Sequence, residues 1–470
     1  MRTRIQAALQ DCAPLSIEVL VNHVRYKTVT VNVSLVVHRG EDLDAVRARV
    51  ADRLHLTINP LPTPLQRHGW RFGEPLRASH VYDIVLAEPG VSYVEQVRFT
   101  VDEVPDKDVR ALAVDPTQPA TWYAASGGIL FRSLNDGDGW EPAGRFEGER
   151  VNSVAPSPQR PGLLAAATQL ADGGAQVHVS RDCGEHWTPA ATLAFTVHDM
   201  AWLLRGIVDV LLMATDKGLY ELSLEEGATP AQIEVDAKNP SGGFYAVVAF
   251  ADARGGLNVA VSAQEEGGVF LSRQGGRSGT FAMIGLKGED IRVLALQRVG
   301  LRSFLWAGVT TAGNDVGKGC LRWELPAASD TVEAPEGWRG MGTGWSGGSC
   351  RALDFDDTTA FAATHFAGIN RLDASKPESA WQPSPIPCGL PVRGADRLYA
   401  PVSALAVAPG GRLVFAGGAQ GVFRSRDGAA TFDASSSREF AEKVALPPTW
   451  LFCSGPHEVD VVTADEAHAD

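Results

Sequence analysis

The chain has 470 residues, 42 basic against 56 acidic for a net charge of −14, with 44% apolar content, 49 glycines and 8% aromatic residues. An acidic balance of this size argues against a phosphate-tracking groove as the main task, and the apolar share argues for a folded, turn-rich protein of many short strands. At this length, two or more cores or one large radial array are expected.

The charge is unevenly placed. Residues 1–104 carry 12 Lys and Arg and 12 Asp and Glu, so the acidic excess lies beyond them, where it reads as a solvated surface. Six cysteines, at 12, 183, 320, 350, 388 and 453, form no CxxC pair and no ligand spacing with the eleven histidines. Neither a disulfide framework nor a zinc site is expected, and a reducing, cytoplasmic setting fits. The opening MRTRIQAALQDCAPL has no apolar run of signal-peptide length, and no stretch approaches the ~18 apolar residues of a membrane span.

Val29, Val31, Val33, Leu35 and Val37 alternate with Thr28, Thr30, Asn32 and Ser34, the period of a half-buried strand that Arg39-Gly40 ends. Asp44–Leu56 then places Val46, Val50 and Leu54 at helical spacing behind Leu43, and Asn59-Pro60 stops the helix. A proline-rich turn (Leu61–Pro64), the segment Gly69–Gly73 and a helix over Ser79–Leu86 follow. Next comes a strand in which Val91, Tyr93, Val97, Phe99 and Val101 share one face. The order predicts a compact α+β domain.

From Gly128 onward one passage recurs, with marker glycines at 128, 174, 218, 268, 319, 368 and 421 and gaps of 46, 44, 50, 51, 49 and 53 residues. A strand-like run precedes each: Val109–Val114, Val151–Ala155, Val197–Trp202, Tyr245–Phe250, Ile291–Leu296, Cys350–Phe355 and Val402–Val407. Short strands joined by tight turns at a period of ~40–50 residues predict the four-stranded blades of a β-propeller, here seven, with small residues in the first run crowding the axis. The proline-rich loop Lys376–Asp396 reads either as a docking element or as a mobile loop.

The turn after the third run carries the most specific signal. Ser133-x-Asn135-x-Gly137-x-x-Trp140 and Ser180-x-Asp182-x-Gly184-x-x-Trp187 share one pattern, and Ser425-x-Asp427-x-Ala429-x-x-Phe432 is a worn copy. Ser272-x-Gln274-x-Gly276 and Ser223-x-Glu225-x-Gly227 are more degenerate. These turns resemble the Asp-box, or BNR, hairpin of sialidases and of other propellers without sialidase activity. The acid and serine bond turn amides, glycine permits a positive φ, and the aromatic packs between sheets, so the boxes are expected to stabilise the fold.

A sialidase needs an arginine cluster, a tyrosine nucleophile with a partnering glutamate, and an acid/base aspartate. The tyrosines at 123, 220, 245 and 399 have no Glu-rich partner segment, and the Arg-Ile-Pro signature is missing. No HExxH or GxxxxGK[ST] appears. Asp356-Asp357 and Glu225-Glu226 read as solvated loop acids, and His178, His186 and His198 fall in different strands or turns. No catalytic, cofactor-binding or metal-binding residue is assigned, and the chain is expected not to be an enzyme.

After the seventh repeat, residues 444–455 and Val459-x-Val461-Val462 give two more strand-like runs. The first hundred residues resemble the C-terminal part of baseplate J-like proteins, wedge components of contractile phage tails and related injection systems. The resemblance is carried by Tyr26-Lys27-x-Val29-x-Val31, Pro60-Leu61, Gly69-Trp70-Arg71-Phe72-Gly73, Ser79-x-Val81-Tyr82 and Pro89-Gly90-Val91. The longer N-terminal portion usual in that family is absent here, and the propeller is an addition to it. Because family domains of this type end in a comparable pair of strands, the tail is assigned to them, with closure of the seventh blade as the rival.

The expected fold is therefore mostly β: a seven-bladed propeller over 104–438, inserted into a baseplate J-like α+β domain made by 1–103 and 439–470, the last segment ending in an acidic tail. The resemblance implies a structural baseplate component, present in six copies or a multiple, contacting other wedge, hub and sheath-proximal proteins and offering the propeller to a fibre or envelope ligand. No nucleic acid, membrane span, cofactor or metal is expected. The alternatives are a glycan-binding or glycan-cleaving Asp-box propeller and an Asp-box assembly chaperone for photosystems.

Overall fold

The computed structural model describes residues 2–464 apart from 15–18, 20, 22, 23, 253, 254, 301, 314, 326–336, 377 and 395–397, so the expected acidic end at 465–470 lies outside the described residues. The chain divides into two compact units. One comprises Met1–Val104, Ser133–Glu141 and Ser436–Asp470, the other Pro105–Arg132 and Pro142–Ser435.

The first unit contains helix α1 (Arg2–Gln10), strand β1 (Arg25–Val37), helix α2 (Leu43–Thr57), strand β2 (Leu76–Arg77), helix α3 (Ala78–Leu86) and strand β3 (Val91–Val101). Asp42 caps α2, its Oδ1 accepting from the N–H groups of Asp44 (3.0 Å) and Ala45 (3.1 Å). The helix then buries Val46, Val50 and Leu54, the residues its periodicity picks out. Antiparallel β1 and β3 form the middle of a sheet, and two tail strands run parallel to β1: Trp450–Ser454 against its first half, Glu458–Thr463 against its second. The tail thus joins this sheet rather than the seventh sheet of the other unit.

A 13-residue strand is long enough to hold two successive partners on one edge, and Gly455 makes the change between them. Its N–H donates to Val29 O at 2.8 Å, and a Cβ there would come within 2.7 Å of Thr30 Oγ1. The Gly-Trp-x-Phe-Gly motif serves the same junction. Trp70 is buried beside Phe452, its Nε1 donates to Glu74 O at 2.9 Å, and Gly73 N donates to Trp450 O at 3.1 Å.

One expectation fails here. Tyr93 is exposed, because the pairing of β3 with β1 skips Glu95 and then Ser92, and each skip inverts the alternation of side chains.

In the second unit seven antiparallel sheets of three or four strands follow in chain order, beginning at Val109, Arg150, Val197, Phe244, Ile291, Cys350 and Val402, with a two-stranded pair, Val392–Arg393 and Leu398–Tyr399, between the sixth and the seventh. Among the described residues each of the seven has four strands except the sixth, which has three. The first strand of each sheet packs beside that of the next, and Val402–Val407 packs beside Val109–Val114, so the ring closes on itself. Closure is tight: a Cβ on Gly417 would come within 2.6 Å of Val109 Cγ1.

The most crowded strands are the inner ones of the sheets, the second or third, rather than the first. Trp122–Ser126, Val414–Gly418 and Gly268–Ser272, this last a third strand, are buried throughout, whereas Val109–Val114 stays partly exposed along the ring's interior. Second strands have a sheet neighbour on each side and a packed sheet against each face, which explains runs such as Ala165-Ala166-Ala167.

The loop Lys376–Asp396 is partly packed where it is described, with Ile386 and Val392 exposed. Gln382 bridges to Arg371 where a fourth strand would lie, and Cys388 and Leu390 are buried with Tyr399 and Phe432. Residues 377 and 395–397 lie outside the described residues.

Candidate functional site: a ring of bulge residues

Between the first and second strands of all seven sheets the pairing skips one residue, the one after the first paired position in six of them and after the second paired position in the second sheet. The skipped residues are Arg110, Asn152, His198, Tyr245, Arg292, Arg351 and Ser403. A bulge unpairs its extra residue and re-aims the side chain. All seven side chains line a single cavity of about 610 Å³, joined by Asp108, Gln169, Thr196 and Val197.

The groups in this mouth are mostly hydrogen-bond donors. Arg110 Nε meets Asp108 Oδ2 at 2.8 Å, and Arg292 meets both oxygens of Asp290 at 3.0–3.2 Å. Arg292 also lies over the Tyr245 ring at 4.8 Å. His198 stands edge-on to that ring at 5.5 Å and places Nε2 2.6 Å from Asp216 Oδ1. Asn152 Nδ2 donates to Gln169 Oε1 at 3.2 Å. Arg351 donates to Ser403 Oγ at 3.5 Å and, among the described residues, forms no ion pair.

The electrostatics follow from this pairing. Hydrogen bonding to Asp290 raises the Arg292 pKa. Burial lowers that of Arg351, and the like charges of Arg110 and Arg292 lower it further against the pull of Asp108. Burial raises Asp216, but the hydrogen bonds from His198 and Gln264 outweigh it and hold the carboxyl below its ordinary value. Burial and the neighbouring charges of Arg351 and Arg393 lower His365.

The Asp-box turns do different work. In the second sheet Gly184 N donates to Ser180 Oγ at 2.9 Å, Ser180 Oγ donates to Asp182 Oδ1 at 2.9 Å, and His186 N donates to the same oxygen at 2.9 Å. The turns at Ser133 and Ser425 repeat the serine bond at 2.9 and 2.8 Å. All three serines are buried, so these groups are consumed by the fold.

His178 contacts Glu149 at 3.3 Å, His186 contacts Asp182 at 2.6 Å, and His198 lies in the mouth, so the three are not brought together. Among the described residues no group of three or more His, Cys, Asp or Glu is arranged to hold a metal ion. Asp356, Asp357, Glu225 and Glu226 line no part of the mouth.

Sequence reasoning missed the gathered arginines because 182 and 59 residues separate Arg110, Arg292 and Arg351. The usable signal was position: each is the second residue of an inner strand.

No family model matches the chain, and no curated protein matches it. Among solved structures it is similar to the GH74 xyloglucanase from Xanthomonas campestris, with a TM-score of 0.50 and 18% identity over 77% of this chain and 56% of that one. It is also similar to the GH74 enzyme of Niastella koreensis, with a TM-score of 0.53 and 16% identity over 71% and 54%. The fold of the second unit is that of a β-propeller. At these identities the likeness concerns fold alone, and the chain spans about half the length of either enzyme.

Proposed function

We propose that the second unit is a seven-bladed propeller acting as a ligand-binding module, and that its ligand is a glycan taken at the bulge ring. The observation that carries this reading is the convergence of seven side chains on one mouth through a distortion repeated in every sheet. Guanidinium, amide, imidazole, phenol and hydroxyl groups suit the hydroxyls of a sugar, and about 610 Å³ is within the range of small-molecule sites. The fold shared with two glycoside hydrolases leans the same way.

The reading is of binding, not cleavage. Glycosidic hydrolysis uses two carboxyl groups roughly 5–9.5 Å apart across the bond. The lining carboxylate here, Asp108, is engaged by Arg110. Calorimetric titration of the full chain with an oligosaccharide panel is expected to give binding without release of reducing ends. Turnover, or no binding by any saccharide, overturns the proposal.

A second reading is a wedge component of a phage-tail-like contractile particle, in six copies or a multiple. It rests on the motif residues of the first unit, of which Trp70 and Gly73 hold the returning tail strand. Imaging of sheathed particles from cells carrying the tagged chain tests it, and absence of the tag from every such particle overturns it.

A further inference from the structure

We infer that the mouth is a receptor for one oxyanion with Arg351 as its anchor, and that, if the glycan reading holds, the charged group is the carboxylate of an acidic sugar. The argument is a charge count. Among the arginines, Arg110 is matched by Asp108 and Arg292 by Asp290, while His198 Nε2 shares a hydrogen bond with Asp216. Arg351 is the remaining cation of the bulge ring, and it forms no ion pair among the described residues.

Its surroundings make that charge uncomfortable. Arg110 and Arg292 repel it, and burial removes part of its hydration. A ligand oxyanion relieves both effects at once. The guanidinium has five N–H donors in a planar fork, and Ser403 Oγ accepts from one nitrogen. The others remain to grip two oxygens of one carboxylate, the strongest geometry such a pair has.

The number of charges sets the ligand class. One unmatched cation suits a monoanion, and a chain of net charge −14 repels an extended polyanion everywhere else. A neutral sugar would leave Arg351 as it stands.

Calorimetry at low salt on the full chain compares glucuronate and galacturonate with glucose and galactose, and adds acetate and inorganic phosphate as sugar-free oxyanions. The uronates are expected to bind about tenfold tighter than the neutral sugars, as a charge-assisted pair warrants. Arg351→Gln is expected to erase that preference. Its thermal midpoint should stay near that of the parent, because Arg351 engages only Ser403 among the described residues. Asp108→Asn, which releases Arg110, is expected to tighten uronate binding.

Neutral and acidic sugars binding alike, or a preference that survives Arg351→Gln, overturns the inference and leaves the glycan reading standing. Acetate and phosphate binding that Arg351→Gln abolishes, with no sugar bound, supports the oxyanion site and overturns the glycan reading. Silence from every probe overturns both.

Discussion

One buried hydroxyl shows how the repeated turn is fixed. Ser180 is fully buried, and its Oγ takes the Gly184 N–H while giving its own proton to Asp182. Gly184 sits at φ +86°, and a Cβ there would come within 3.2 Å of the Ala143 Cβ. Ser180→Ala strands a buried N–H and is expected to cost about 1–3 kcal/mol. Gly184→Ala forces an L side chain into the left-handed region at about 1–2 kcal/mol. Urea denaturation measures both, and losses below ~0.5 kcal/mol would place the turn's stability elsewhere. Such turns were legible because every partner lies within six residues of the serine. The worn copy keeps the geometry with Ala429 at φ +65°, its methyl buried in the cluster that holds Phe432.

Between elements, a second device recurs that sequence spacing conceals. An arginine of one sheet donates to the carbonyl three residues after the box serine of the next: Arg132 to Cys183 O at 2.7 Å, Arg205 to Gly275 O at 2.9 Å, and Arg371 to Gly428 O at 3.1 Å. Arg132 also meets Glu185 at 2.5 Å, with both side chains under a tenth exposed. Removing one partner of such a pair leaves a buried charge, so Arg132→Met is expected to cost about 3–5 kcal/mol, and adding Glu185→Leu to recover much of it. A double-mutant cycle by thermal unfolding checks this, and strictly additive losses would deny the coupling. The long strand β1 and helix α2 were readable from periodicity, which is local. Tyr93 was misplaced because two bulges in β3 are set by its partner strand. The burial of Cys388 and Leu390 in the loop after Lys376 was not legible, because it depends on packing with Tyr399 and Phe432.

At the scale of the whole molecule, the two units are expected to respond to acid in opposite directions. Burial raises the carboxyls of Asp199 and Asp354 to about 6, though each accepts a backbone N–H from the following sheet, of Val247 and Val407 respectively. Between the ordinary ~4 and about 6 the folded chain then holds more protons than the unfolded one, so this contribution to the second unit falls as pH rises through that window. In the first unit His457 accepts from Val31 N at 3.0 Å, and burial, with the charge of His55, lowers it to about 4. Its contribution is full above the unfolded value of ~6.5 and declines as pH falls toward 4. Scanning calorimetry from pH ~7 to ~4.5 is expected to show the first unit's transition moving down and the second's moving up. His457→Gln should flatten the former and the paired Asp199→Asn and Asp354→Asn changes the latter, and transitions that move in parallel would overturn the assignment. What the sequence alone determined is what nearest neighbours enforce: the period of the repeats, the box turns, and the alternation of β1. Tertiary structure alone decided that the tail strands lie on β1, and that Arg110, Arg292 and Arg351 share one mouth. Each of those side chains is aimed by a bulge that exists only once two strands have paired, and they meet only once the ring has closed.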